Sequence, residues 1–242
     1  MQRRAFITGD SHTAVLRLGL AHLAAQGRVG AETTIEVAVL GNGARLLERF
    51  FRDDGTRATI IDPGYRKHVS ALPRPGDDPR EVAYGWSGLF HFARLWRRRT
   101  WARFRPSFHA GPGQPVSTQL LRTVVLDWFA PQLELLDVLR RVGAHVFVVE
   151  SPRPFRHHPA FTWLPPDLAI ALDRFCHALM QDELAHRGIG LVRIPAHCVD
   201  ADGFMLPEWR SDREGDPHHG NPAFGALMMR ETVKYLEARA DD

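Results

Sequence analysis

The sequence predicts an α/β fold, a three-layer sandwich in which helices cover both faces of a central parallel sheet. Short apolar stretches rich in β-branched residues alternate with longer stretches in which apolar residues recur at helical spacing. The lengths between them suit strand–helix–strand units, which connect parallel strands. No repeat, low-complexity segment or long linker divides the 242 residues, so we expect one domain over residues 1–242.

The first half of the chain contains four predicted strands and two predicted helices. Glycine and proline lie at the ends of these elements: Gly9 ends the first strand, Gly41-Asn42-Gly43 forms a tight turn, and Pro63-Gly64 ends the third strand. Residues 63–80 are rich in proline and glycine and are expected to be irregular. The predicted strands are residues 5–8, 33–40, 57–62 and 81–87, and the predicted helices are residues 14–26 and 44–52.

The second half shows clearer periodicity. Residues 116–142 form a long helical pattern that Pro131 is expected to kink or split, and Gly143 ends it. The remaining predicted elements are strands at residues 145–150 and 190–195 and helices at residues 167–187 and 222–239. In parallel sheets of this kind, ligands bind at the carboxyl ends of the strands, where Ser11 and the turns at Gly41 and Gly88 fall.

Composition restricts the class of protein. Hydrophobic residues make up 44% and charged residues 24%, with a net charge of +3, which is ordinary for a globular protein. No apolar run approaches membrane-spanning length, and the first strand begins at once. We therefore expect a cytoplasmic protein without membrane association. Cys176 and Cys198 lack metal-type spacing, and we expect no metal and no cofactor.

Ser11 lies at the turn between the first strand and the first helix. Free backbone amides and the positive end of the helix dipole gather at such a turn. A hydroxyl there can attack a carbonyl while nearby amides stabilise the oxyanion. The alternative is that Asp10, Ser11 or Thr13 simply caps the helix.

A second polar motif, Asp216-Pro217-His218-His219, precedes the last helix. A turn over three residues can bring the Asp216 carboxylate to Nδ1 of His219 and leave Nε2 free to accept a proton from a serine. The alternative is that these histidines are ordinary loop residues, or that Asp216 or Asn221 caps the closing helix.

Together, the two motifs resemble those of the SGNH hydrolases, also called the GDSL family. Gly9-Asp10-Ser11-His12 is similar to the first motif block, and Asp216-x-x-His219-Gly220-Asn221 with Phe224-Gly225 is similar to the fifth. The resemblance implies a flavodoxin-like fold with Ser11 as the nucleophile, His219 as the general base and Asp216 as its orienting partner. It also implies an oxyanion hole that uses a second-block glycine, Gly43 or alternatively Gly41.

The sequence departs from the family at the third block. No Gly-x-Asn-Asp follows the strand at residues 81–87; the turn reads Gly88-Leu89-Phe90-His91. The family's asparagine donor is missing, and Leu89 is expected to take its place. His91 or Asn42 could supply the donor instead.

The resulting hypothesis is an enzyme that cleaves a small acyl ester, for example an acetyl group on a sugar, through an acyl-enzyme on Ser11. The expected partner is therefore a small-molecule or glycan ester. One alternative is an acyltransferase or glycan-modifying relative of the same fold. Another is a non-catalytic protein whose arginine-rich, aromatic residues 94–105 bind an anionic partner, although we do not expect nucleic acid. Alternatively, residues 94–105 form a solvated loop or helix in which the aromatic rings pack inward and the arginines extend to solvent.

Overall fold

The computed structural model describes residues 3–28 and 32–238. Its strands are β1 (Arg3–Gly9), β2 (Thr33–Val39), β3 (Phe51–Asp53), β4 (Ala58–Ile60), β5 (Ala71–Leu72), β6 (Val82–Ser87), β7 (Phe104–Pro106), β8 (Gln114–Val116), β9 (His145–Val149) and β10 (Gly190–Val192). Its helices are α1 (Thr13–Ala25), α2 (Pro63–Arg66), α3 (Ala93–Trp96), α4 (Thr118–Arg141), α5 (Pro166–His186) and α6 (Pro222–Ala238). The last predicted helical residue, Arg239, lies outside the described residues.

Five of the strands form the central sheet, in the order β10-β9-β6-β1-β2, and every pairing is parallel. This order is the doubly wound, flavodoxin-like arrangement, and the predicted α/β class is confirmed. The chain order reverses between β1 and β6, and in such sheets the crevice for a ligand opens at the carboxyl ends of the strands at this switch point. Ser11 follows β1 there, and Gly88 follows β6.

Alternation along β1 divides the core between the two faces of the sheet. Ile7 packs with residues of α1 and α6, whereas Phe6 packs on the other face with residues of α4 and α5. The contact of α1 with α6 is close because glycines meet there: a Cβ on Gly19 would lie 2.1 Å from the carbonyl carbon of Gly225. The loop before α6 is thereby held near the turn before α1.

The prediction for residues 44–62 was partly wrong. Residues 44–52 do not form a helix; a short 3₁₀ turn at Arg45–Leu47 leads into β3. The strand predicted at residues 57–62 exists as β4, but it pairs antiparallel with β3 and β5 in a separate sheet. Phe50 and Phe51 are both buried in the core, and this tertiary burial outweighs the local helical pattern.

Two other segments also differ from expectation. Residues 63–80 contain α2 and β5, so they are less irregular than predicted. Pro131 lies inside α4, which continues through it as one helix of 24 residues. Among the described residues, no helix combines the length and apolarity needed to cross a membrane.

Candidate active site

The turn after β1 presents Ser11 to solvent. Gly9 has φ 154°, and a Cβ there would lie 2.0 Å from the carbonyl oxygen of Ser87, so the turn requires glycine. The amide of Asp10 donates to that same oxygen at 2.9 Å. Asp10 is buried, and its Oδ1 accepts the amide hydrogen of His12 at 2.9 Å.

The Ser11 hydroxyl does not cap the helix. The N-cap of α1 is His12, whose own side chain makes no capping hydrogen bond. Oγ of Ser11 instead lies 2.8 Å from Nε2 of His219. Of the two interpretations of Ser11 drawn from the sequence, the structure therefore favours the one in which its oxygen contacts a histidine.

The loop before α6 orients His219 through Asp216. Oδ1 of Asp216 accepts the amide hydrogens of His218 and His219 at 3.3 and 3.1 Å, which closes the turn. Nδ1 of His219 lies 2.9 and 3.0 Å from the two oxygens of the same carboxylate. Asn221 is separate from this pair; its Oδ1 accepts the amide hydrogen of Phe224 at 2.9 Å in the first turn of α6, as a cap does.

The electrostatics of the pair follow from these contacts. Partial burial acts to raise the pKa of Asp216, but hydrogen bonds from the side chain and amide of His219 outweigh burial and bring the pKa to about 2. Asp216 is therefore ionised at neutral pH. The ionised carboxylate accepts a hydrogen bond from Nδ1–H of His219. Nε2 is then unprotonated and is the hydrogen-bond acceptor that faces the Ser11 hydroxyl.

The turn after β2 distinguishes the two glycines considered for the oxyanion hole. The Gly41 amide donates to the Gly9 carbonyl at 3.4 Å, whereas the amides of Gly43 and Ser11 make no hydrogen bond to any described residue. Gly43 is buried beside Asp10, and a Cβ on it would lie 2.7 Å from Oδ2 of Asp10. Asn42 is exposed, and its Oδ1 accepts the amide hydrogen of Ala44 at 2.9 Å.

Leu89 does not occupy the position expected from the third block. Its side chain is fully buried in the core on the α4 and α5 side of the sheet. Two residues further on, His91 borders the cleft that contains Ser11. His91 and Gly88 also border an adjoining recess together with Asp10 and Gly43. The turn after β6 therefore brings an imidazole to the site and buries the leucine.

Three further histidines surround His219. The ring of His12 lies 4.5 Å from that of His219 and 4.6 Å from that of His91, and the ring of His218 lies 4.5 Å from that of His219. Burial, reinforced by the charges of neighbouring groups, holds the pKa of His12 and of His91 well below the usual value. Burial also lowers the pKa of His218, to about 4. These three imidazoles are therefore neutral at pH 7.

Ser11 opens onto a cleft of about 580 Å³. Its walls also include Asn42, His91, Arg94 and Arg97. Sequence reasoning did not assign Arg94, Arg97, His12 or His218 to the site. The available signal was the spacing of three between His91, Arg94 and Arg97, which places them on one side of a helical turn.

Among the described residues, one group of side chains has potential metal-ligand atoms that lie close together. Asp216, His218 and His219 each offer one atom, and these atoms lie within 4.8 Å of one another. Both ring nitrogens of His219 already contact Asp216 or Ser11. A metal ion bound to His219 would therefore compete with its contact to Ser11 or with its contact to Asp216.

Comparison with known proteins identifies the fold. No family model and no curated protein matches the sequence. A GDSL-like lipase from Bacteroides thetaiotaomicron superposes with a TM-score of 0.52 and 12% identity, over 98% of this chain and 89% of that chain. A carbohydrate acetylesterase family member from Sinorhizobium meliloti gives a TM-score of 0.50 and 11% identity, over 97% and 98% of the two chains. The chain thus has the fold of the SGNH, or GDSL-type, hydrolases.

Proposed function

We propose that this protein hydrolyses a small acyl ester through an acyl-enzyme on Ser11. The observation that carries the proposal is the continuous contact from Ser11 Oγ to His219 Nε2 at 2.8 Å and from His219 Nδ1 to Asp216 at 2.9 Å. This is the arrangement of nucleophile, general base and orienting carboxylate that serine hydrolases use. Its position at the switch point of the sheet supports the same function.

The proposed reaction has two halves. His219 takes the proton of Ser11 as Oγ attacks the ester carbonyl, and the imidazolium then gives that proton to the departing alcohol. Water, deprotonated by His219, attacks the acyl-enzyme, and the acid leaves as Ser11 regains its proton. Ionised Asp216 keeps His219 in the required tautomer and stabilises the imidazolium. An acyltransferase would use the same steps with a second alcohol in place of water.

The free amides of Ser11 and Gly43 are the proposed main-chain donors to the oxyanion, and His91 is the proposed third donor. Nε2 of His12 lies 3.0 Å from Nδ1 of His91, while Nδ1 of His12 is buried without a hydrogen-bond partner among the described residues. A buried N–H without an acceptor is rarer than a buried acceptor without a donor, so the His12 proton belongs on Nε2 and is donated to His91. Neutral His91 then carries its own proton on Nε2, which makes no hydrogen bond to a described residue.

A small neutral ester such as 4-nitrophenyl acetate tests the nucleophile and the base. Ser11→Ala and His219→Ala should each lower kcat/KM on the order of 10⁴-fold or more, because the first variant lacks the nucleophile and the second lacks the base that activates it. A fluorophosphonate should add one adduct to wild type, at Ser11. Ser107→Ala and His22→Ala, two exposed positions outside the cleft, are the matched controls. Wild-type rates in Ser11→Ala, or loss of activity after dialysis against a chelator, would contradict the proposal.

The role of His91 is tested by separating kcat from KM. Removal of one oxyanion donor costs roughly 10²–10³-fold in kcat, and we expect this loss in His91→Ala with a smaller change in KM. His91→Gln restores an N–H donor and should recover part of kcat. Equal kcat in His91→Ala and wild type would exclude His91 as a donor while leaving the Ser11 test unaffected.

A further inference from the structure

Two arginines border the cleft that contains Ser11. Arg94 lies in α3 and Arg97 directly follows it, three residues apart, so both guanidinium groups are directed to the same side. Arg94 is only partly exposed, and it also borders the recess formed by Asp10, Gly43 and His91. Its positive charge is therefore close to the proposed reaction centre.

Neither arginine has an ion-pair partner in the part of the chain that the structure describes. No carboxylate oxygen of the described residues lies within 4.0 Å of Arg94 or Arg97, whereas Arg153 pairs with Asp173 at 2.7 Å and Arg156 pairs with Asp200 at 2.7 Å. The side chain of Arg94 has one polar contact among the described residues, from Nη2 to Oδ1 of Asn42 at a long 3.5 Å. A half-buried guanidinium that lacks a carboxylate leaves most of its five donors available to a ligand.

The other polar groups of the cleft offset this charge only in part. Asp10 interacts with Arg94 electrostatically, but it is buried and forms no ion pair with the guanidinium. His91 and His218 are neutral at pH 7, because burial lowers the pKa of each. The cleft therefore presents a net positive surface beside the Ser11 hydroxyl.

We propose that the ester substrate carries an anionic group, a carboxylate or a phosphate, that binds Arg94 and Arg97 while its carbonyl lies at Ser11. The proposal rests on the ester hydrolysis proposed above and names the substrate class for that site. A planar guanidinium binds such oxygen anions through paired, charge-assisted hydrogen bonds. Arg94 is thus a specificity-determining residue rather than part of a nucleic-acid surface.

Paired substrates that differ in one charge test the proposal. The first pair is 3-acetoxybenzoate and 3-acetoxybenzamide, in which the charge lies on the leaving alcohol. The second pair is the 4-nitrophenyl ester of adipic acid with a free carboxylate and its carboxamide analogue, in which the charge lies on the acyl group. We expect wild type to prefer the anionic member of at least one pair, and Arg94→Gln to reduce that ratio of kcat/KM by about ten- to a hundredfold.

Matched variants exclude a general effect on the enzyme. Arg94→Lys keeps the charge and should retain part of the preference. Arg99→Gln removes an exposed arginine of the same stretch that does not border the cleft, and its ratio should equal that of wild type. If Arg94→Gln does not fold, as judged by circular dichroism, the test uses Arg97→Gln instead and compares its ratio of kcat/KM for the anionic and neutral substrates with that of wild type. An absent anionic preference in both pairs, or an unchanged ratio in folded Arg94→Gln, overturns the proposal.

Equilibrium binding separates this proposal from the catalytic one. The amide analogues 3-acetamidobenzoate and 3-acetamidobenzamide resist cleavage, and calorimetry on wild type, Arg94→Gln and Arg99→Gln measures anion preference without turnover. Tighter binding of the benzoate that is lost only in Arg94→Gln supports the anion site even if Ser11→Ala retains activity. Equal binding of both analogues to wild type, together with equal turnover of the paired esters, refutes the anion site even if Ser11 is labelled.

Discussion

The turn that carries Ser11 and the loop that carries His219 meet at one hydrogen bond, but they are held in different ways. The Ser11 turn is tied to both neighbouring strands: the Asp10 amide donates to Ser87, and the Gly9 carbonyl accepts from Leu40, both at 2.9 Å. The His219 loop is closed by the carboxylate of its own Asp216 and by main-chain hydrogen bonds to residues 209–211: the Ser211 amide donates to His219 at 2.9 Å and the Asn221 amide donates to Trp209 at 3.0 Å. The central sheet thus fixes the proposed nucleophile, whereas the position of the proposed base depends on contacts between loops and on the docking of α6.

Substitution of Gly9 in the Ser11 turn and of Gly215 in the His219 loop should give the largest difference in stability between the two segments. Gly9→Ala should destabilise the protein by roughly 3 kcal/mol or more, because its Cβ would lie 2.0 Å from a main-chain oxygen that the sheet holds in place. Gly215→Ala should cost only about 1 kcal/mol, for the left-handed φ of 73°, because a Cβ there meets nothing within 4 Å. Urea denaturation of both variants measures the difference. Equal losses would mean that the Ser11 turn is no more tightly constrained than the loop.

The same contrast explains what the sequence could predict. The strands of the central sheet follow from apolar runs and glycine punctuation, and the Asp216–His219 pair follows from a spacing of three residues. Both signals are local. The placement of Leu89 in the core and His91 at the cleft depends on the path of the chain after β6, which no local pattern specifies. Likewise, residues 44–52 have helical spacing, but the burial of Phe50 and Phe51 determines their structure.

The arginine-rich stretch illustrates the limit in another way. Trp96 packs inward, and the guanidinium of Arg98 lies 5.1 Å from the ring of Trp128, as expected of an ordinary solvated surface. Arg94 and Arg97 differ from their neighbours because both border the cleft that contains Ser11. Composition makes these arginines equivalent, and three-dimensional position alone distinguishes them.

Asp10 provides a pH-dependent test of the buried side of the site. Burial raises the pKa of Asp10 to about 6, against the opposing effects of the His12 amide and Arg94. The folded protein therefore binds a proton that the unfolded chain releases near pH 4, and wild type loses stability as the pH rises from about 4 to above 6. Asp10→Asn cannot titrate, so its stability relative to wild type should increase by on the order of 3 kcal/mol between pH 4 and pH 7. A constant difference across this range would exclude a raised pKa.

Asp216 should show the opposite sign, with a smaller magnitude. Its pKa is lowered to about 2, so its ionised form stabilises the fold above the ordinary carboxyl range, and this contribution disappears as the pH falls toward 2. Because the loop is partly exposed and solvent screens the pair, Asp216→Asn should cost only about 1 kcal/mol at pH 7, and the cost should shrink at pH 3. Urea midpoints of Asp10→Asn, Asp216→Asn and wild type at pH 3, 4 and 7 test both signs in one series. If the stability of both variants relative to wild type changes with pH in the same direction, the Ser11 turn and the His219 loop do not differ electrostatically. Only opposite environments shift the two carboxyl pKa values in opposite directions.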